Sequence, residues 1–390
     1  MEKIILSICI PTYNGGERLE KLVKHILRSD RTDIEIAISD NQSTDNTAER
    51  INGIRDRRVR FYENEQNLGS LGNGIRALQN GQGEYLMLLI DRDIVQPEYV
   101  DEYTDFLKIN SYDVIINQAQ ILRQNICCEL AGDRKYYYLF KSPHPSYYVF
   151  RKACFDKVEI VDMIKKNGYY PALIGMTIAE QYGGTVYLNG DIPIILQCEP
   201  SYVSMHGSRS WSILGELEKS KLRNGTFEPK SQMGLLENYL RYLKYMDVVG
   251  NTLNDALFGI YHALLENAMD YIHVMESSRM RYRYPVPDLH YEMEDHLGIA
   301  DEFLNAFDAY VQKLGFQYDK SSIELLTELV KLQFTNSTIS QTYVDFENNE
   351  KRISQIKRTF AEKGLCEDVV EMNHDINLKE GIGNTKGLKK

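Results

Sequence analysis

Apolar positions along the first hundred residues follow two rhythms. Apolar-rich stretches at 4–10 and 34–39, and the unbroken run "YLMLLI" that ends against Asp91, fit strands buried on both faces of a sheet. Between the first two, Leu19, Leu22, Val23, Ile26 and Leu27 mark one face of a helix over 17–29. A helix over 44–54, a short strand at 58–62 and a helix over 71–79 continue a βαβα order. This alternation predicts an α/β domain built on a Rossmann-like, mostly parallel sheet. A Pro-started helix over 97–108, a strand at 112–117 and further strands from the Tyr-rich stretch around 136–150 are expected to extend it.

After "VYLNGDIPIIL" the rhythm changes. Segments such as "LLENYLRYLKYM", "DALFGIYHALLENAMDYIHVM" and "SSIELLTELVKLQF" repeat apolar residues every three to four positions, which predicts helices. Pro229 is a helix-start signal, and the prolines of "RMRYRYPVPDL" separate two of the helices. The expected division is an α/β domain over 1–215, a mainly helical domain over 216–375 and a disordered Gly- and Lys-rich tail over 376–390.

Charge narrows the partners. The 390 residues carry 56 acidic against 45 basic side chains, a formal net charge of −11, so no positive field gathers phosphates and a nucleic-acid binder is not expected. The start of the chain enters a strand too early for a signal peptide. No apolar run reaches the roughly eighteen residues a bilayer span needs. A cytoplasmic protein follows as the expectation, at most peripheral at the inner face of the membrane. The six cysteines form no C-x-x-C pair and read as reduced thiols that fill the core.

Candidate chemistry collects where strands end. "SICIPTYN" brings a hydroxyl, an aromatic ring and an amide to the tip of the first strand, where a base could stack; a loop held by Asn14 is the ordinary alternative. Asp40 ends the second strand and could accept the ring N–H of a pyrimidine, while Ser43 or Thr44 could simply cap the next helix. Asp91 and Asp93 stand one residue apart at the carboxyl end of a buried strand. That is the ligand edge of an open α/β sheet, although a helix cap before Pro97 would use the same residues.

Four blocks in order, "SICIPTYN" (7–14), "AISDNQSTDNT" (37–47), "NLGSLGNGIRAL…GEYLMLLIDRD" (67–93) and "SYVSMHGSRSW" (201–211), resemble the family 2 glycosyltransferases. The resemblance covers roughly the first 210 residues. It implies the GT-A fold and an inverting transfer of a monosaccharide from a nucleotide diphosphate-sugar, a UDP-sugar foremost, to a hydroxyl of a glycan, a lipid-linked glycan or a protein. It also assigns residues. Pro11, Thr12 and Tyr13 would hold the nucleobase and ribose, and Asp40 or Asn41 would read the base, the family's second acid here being Asn41. Asn67, Gly69 and Arg76 would line the donor side. Asp91 would face the ribose and Asp93 a Mn²⁺ or Mg²⁺ ion, which suits hard carboxylate oxygens and offsets diphosphate charge. Asp91 also counts among the metal candidates. His206 and Arg209 would meet the metal or the departing diphosphate.

The general base stays open. The acid expected before "TVYL" is replaced by Tyr170-Pro171-Ala172, leaving Glu180, Asp191 and His144 as candidates. A sugar-1-phosphate nucleotidyltransferase shares the architecture, but "PTYNGGERLEK" matches its triphosphate loop only faintly. The missing base also leaves room for a non-catalytic GT-A scaffold subunit of a glycosylation complex. The helical part would then meet an acceptor, an anionic membrane through "RMRYRYP", or a second subunit such as another copy of the chain.

Overall fold

The computed structural model describes residues 3–117, 126–141, 145–167, 170–192, 194–196, 229–282, 293–338 and 343–365. The first half is built on an eight-stranded mixed sheet in the order β3-β2-β1-β4-β8-β6-β9-β7. Its strands are β1 (Leu6–Thr12), β2 (Ile34–Asp40), β3 (Val59–Glu63), β4 (Tyr85–Leu88), β6 (Val114–Asn117), β7 (Cys128–Leu130), β8 (Tyr148–Arg151) and β9 (Val186–Asn189). A two-stranded ribbon pairs β5 (Ile94–Val95) with β10 (Ile195–Leu196).

β1, β2, β3 and β4 run parallel, as the alternating rhythm predicts. β8 is antiparallel to both β4 and β6, and β9 is parallel to β6. Two reversals cancel, so β6 and β9 point the same way as β1 and β4. Six carboxyl ends, those of β1, β2, β3, β4, β6 and β9, therefore share one edge of the sheet, the edge at which open α/β sheets bind ligands.

The helices of this half follow the expected periodicity. α1 (Gly16–Ile26) buries Leu19, Leu22, Val23 and Ile26, each worth about 1.5–3 kcal/mol when removed from water. α2 (Thr47–Asn52) and α3 (Gly69–Asn80) connect the next strands. α4 (Pro97–Ile109) opens with Pro97, whose missing N–H costs nothing there. Cys9 and the other described cysteines are free thiols, and burial raises the pKa of Cys9 well above the usual thiol range.

One segment departs from expectation. The Tyr-rich stretch supplies a single strand, β8; its first part is a helix, α5 (Gly132–Lys141). Tyr136, Tyr137, Tyr138, Leu139 and Phe140 are all buried, so neither a strand period nor an amphipathic helix period shows in the sequence. Tertiary packing overrides the β preference of tyrosine. Two short helices, α6 (Lys152–Phe155) and α7 (Asp162–Lys165), then lead to α8 (Tyr170–Tyr182), buried over its first ten residues.

The second half is helical: α9 (Pro229–Tyr245), α10 (Gly250–Tyr282), α11 (Met293–Leu314), α12 (Lys320–Thr338) and α13 (Tyr343–Lys363). α10 lies directly on α5. A Cβ at Gly259 would collide with the Asp133 carbonyl oxygen, so the two helix backbones nearly touch. Below that point, the buried Glu266 carboxylate accepts from Tyr137 Oη at 2.6 Å and pairs with Lys141 Nζ at 3.1 Å and His262 Nε2 at 3.2 Å. Burial works against ionising Glu266, but Lys141 and His262 outweigh it and hold the carboxyl down to about 2. Asn267 donates to the Phe140 carbonyl, and Phe140 packs on Tyr239 of α9. Among the described residues no helix is long and apolar enough to cross a membrane. The basic "RMRYRYP" stretch lies where side chains are not described.

Candidate functional site

β1 delivers Thr12 to the ligand edge and the chain turns through Tyr13, Asn14 and Gly15 into α1. Tyr13 is 49% exposed, unusual for so large a ring, while Thr12 beside it is buried. Asn14 adopts a left-handed φ of 52° and ties this turn to the one after β2: its N–H donates to Ser43 Oγ at 2.8 Å and its Oδ1 accepts from the Thr44 N–H at 2.8 Å. Asp40 accepts from both the N–H and the hydroxyl of Ser43. Asp40 thus shapes its own loop, and the two loops at the ends of β1 and β2 brace one another.

Asn41 is spent differently. Its Oδ1 accepts from the Leu68 N–H at 2.7 Å, and its Nδ2 reaches Asn67 Oδ1 at 3.0 Å and the Gly69 carbonyl at 3.3 Å. An amide can both donate and accept, which a carboxylate in its place could not, so Asn41 fastens the start of α3 to the end of β2. Gly69, at φ +71°, opens that helix in a conformation glycine adopts without strain. Arg76 stands exposed farther along α3. Asn73, which the sequence reading passes over, donates to the carbonyls of Thr12 and Ser39, both at 3.1 Å, and stitches the ends of β1 and β2 together.

The two acids sit on the turn that follows β4. Leu89 still bonds to the Cys9 carbonyl, and the chain then turns, with the Asp93 N–H on the Ile90 carbonyl at 2.9 Å. Asp91 and Asp93 are both buried, at 7% and 4% exposure. Thr12 Oγ1 donates to Asp91 Oδ2 at 2.9 Å, and Arg18 Nη2 donates to the same oxygen at 2.9 Å. Asp93 Oδ2 accepts from the hydroxyl of Ser146, which in turn accepts the Ile90 N–H at 2.9 Å. Ser146 sits in a 3₁₀ turn, Pro145–Tyr147, that leads into β8. Arg18 and Ser146 lie far from the acids in sequence, so spacing gives no signal for them. The glycine at 15 is a local trace of the first contact, because a Cβ there would collide with Thr12 Oγ1 and stand 3.4 Å from Asp91 Oδ2.

Asp191 lies exposed beyond β9, on the same sheet edge as Asp91, beside the Cys127 thiol. Glu180 is placed otherwise. It lies near the end of α8 just before the start of β9, toward the opposite edge, and pairs with Lys135 of α5 at 2.5 Å. The helix direction, which follows from β9 running parallel to β6, separates it from the two acids. At the other end of α8, Tyr170 occupies the position where the resemblance implies an acid. Its ring is buried against Gly74 of α3, and burial drives its hydroxyl pKa well up. His144, His206 and Arg209 lie outside the described residues.

Among the described residues no group of three or more His, Cys, Asp or Glu side chains forms a complete cation cage. Two buried carboxylates on one turn nevertheless fit an ion such as Mg²⁺ or Mn²⁺, which takes one or two protein oxygens and fills its shell from substrate phosphate and water.

Residues 7–125 match the family model "Glycosyl transferase family 2". The glycosyltransferase GlyG of Streptococcus pneumoniae is 30% identical over 114 residues, 29% of this chain and 38% of that protein. The GalNAc(5)-diNAcBac-PP-undecaprenol beta-1,3-glucosyltransferase of Campylobacter jejuni is 34% identical over 91 residues, 23% of this chain and 29% of its own. The chain thus spans well under half the length of these relatives. The crystal structure of S. aureus TarS 1–349 in complex with UDP-GlcNAc superposes with a TM-score of 0.52 at 14% identity, covering 93% of each chain. The sheet is therefore of the GT-A type, and residues 7–125 are similar to glycosyl transferase family 2.

Proposed function

We propose that the protein is an inverting glycosyltransferase that moves a monosaccharide from a UDP-sugar to a hydroxyl of a lipid-linked glycan. The observation that carries this reading is the meeting of Tyr13, Asp91 and Asp93 at the carboxyl ends of the neighbouring strands β1 and β4, inside the stretch that matches the family. The exposed ring of Tyr13 offers a stacking face for uracil. Asp91 accepts a ribose hydroxyl, and Asp93 would hold a Mn²⁺ or Mg²⁺ ion, with Asp91 next to it. Such an ion, when bound, offsets the charge that builds on the departing diphosphate. The UDP-GlcNAc complex of like fold supports the donor class, and the undecaprenol-linked acceptor in the name of the Campylobacter relative supports the acceptor class. An acid on the ligand edge must take the acceptor's proton, and of the described candidates Asp191 is the one that the topology leaves there.

A second reading rests on α8. Its opening presents the buried, apolar Tyr170-Pro171-Ala172 and no carboxylate, as expected of a subunit that binds a nucleotide without turning it over. Measuring UDP release across UDP-, GDP- and dTDP-sugars with Mn²⁺, with water as the only acceptor, separates the two. Slow release from one donor supports the enzyme; a thermal shift with UDP and no release from any donor supports the scaffold.

A further inference from the structure

We infer that Arg18 is a positioning residue of the nucleotide site and acts through Asp91; this rests on the donor-site reading above. Arg18 lies in the first turn of α1, and its guanidinium bonds to Asp91 Oδ2, the oxygen that Thr12 Oγ1 also occupies. Two donors on one oxygen fix the carboxylate about its terminal torsion. Oδ1 takes no hydrogen bond among the described residues and is left as the acceptor for a ligand hydroxyl. The Asp91 side chain is 9% accessible against 35% for Arg18, so the ion pair is shielded on the acid's side and open on the other. Gly15 leaves the room this contact needs, since a Cβ there would collide with Thr12 Oγ1, the second donor to the same oxygen.

The ligand chemistry this serves is a ribose hydroxyl, not a phosphate, and the two can be told apart. Calorimetric titrations with uridine and with UDP, both without metal, are run on the wild type, Arg18→Ala, Arg18→Lys, Asp91→Asn and the Arg18→Ala/Asp91→Asn double variant. Arg18→Ala is expected to weaken uridine and UDP by the same factor, about tenfold, as suits a lost charge-assisted contact. Arg18→Lys should recover part of it. In the Asp91→Asn background, Arg18→Ala should change neither affinity, because the group it acts through is gone. Weaker UDP with unchanged uridine would show Arg18 on the diphosphate and overturn the inference, as would an undiminished effect in the Asp91→Asn background or no effect at all. Should Arg18→Ala fail to fold, Arg18→Lys carries the same comparison, its smaller losses again equal for both ligands and absent in the Asp91→Asn background. Wild-type protein that binds neither uridine nor UDP, with or without Mn²⁺, removes the donor-site reading itself and the inference with it.

Discussion

Ser146 and Asp93 are joined by a hydrogen bond across 53 residues of sequence, and the same serine hydroxyl holds the Ile90 N–H at 2.9 Å. One side chain thus fixes both the turn that carries the acid and the acid itself. Ser146→Ala should raise the Mn²⁺ concentration that half-saturates UDP binding by about tenfold or more, the usual cost of losing a group that orients a metal ligand. Metal-free uridine affinity should stay as in the wild type. Titration of Mn²⁺ at fixed UDP measures this, and an unchanged midpoint would separate Ser146 from the ion.

Asp93→Asn keeps the size of the side chain and removes its charge. Donor turnover should fall by roughly 3–5 kcal/mol of transition-state stabilisation, with the melting temperature little altered. UDP release assayed at saturating Mn²⁺ checks it; activity within a few-fold of wild type would take the ion away from Asp93.

Tyr13→Ala removes a half-exposed ring that packs no core. UDP affinity should weaken by about 1–3 kcal/mol, the range for bases stacked on aromatic side chains, without loss of stability. A calorimetric titration with UDP decides, and equal affinities would leave Tyr13 as plain surface.

Glu266→Gln removes the carboxylate that pairs with Lys141 and His262 between α5 and α10. The fold should lose about 3–5 kcal/mol at neutral pH, the usual cost of breaking a buried ion pair by removing one partner. The acid limb of the stability curve reports on the same group. A carboxyl held down to about 2 in the folded protein, against an ordinary value near 4.3, contributes stability that is complete above the ordinary value and drains away as pH falls toward 2. The wild type should lose stability through that window and the Gln variant should lose less. Urea unfolding at several pH values from neutral to pH 2 tests both statements.

Much of the α/β half can be read directly from residue order. β1, β2 and β4 declare themselves because strands buried on both faces need apolar residues at nearly every position, and their polar tips stand out against that background. α5 is hidden for the converse reason: a helix buried all round has no polar face, and five aromatic or apolar residues in a row suggest a strand. At the site, local chemistry reveals the acids but not what holds them. Asp40 and Asn41 look like ligand groups in sequence and are found bracing loops, since the partners that occupy them, Ser43 apart, arrive from another connection. Glu180 is suggested by its residue type, and only the direction of α8 shows which edge of the sheet it serves.

The near contact of the α5 and α10 backbones at Gly259 bears on how such proteins can be recombined. α5 is encoded between β7 and β8, in the middle of the α/β half, yet its surface is shaped to α10. A crossover in the gene between the two halves would deliver a new helical half to an α5 moulded for the old one, with no glycine assured at the crossing and no carboxylate assured for Lys141. An exchange of helical halves is therefore expected to travel with residues 132–141 as a second, unlinked patch, and a chimera that omits them should be less stable than either parent.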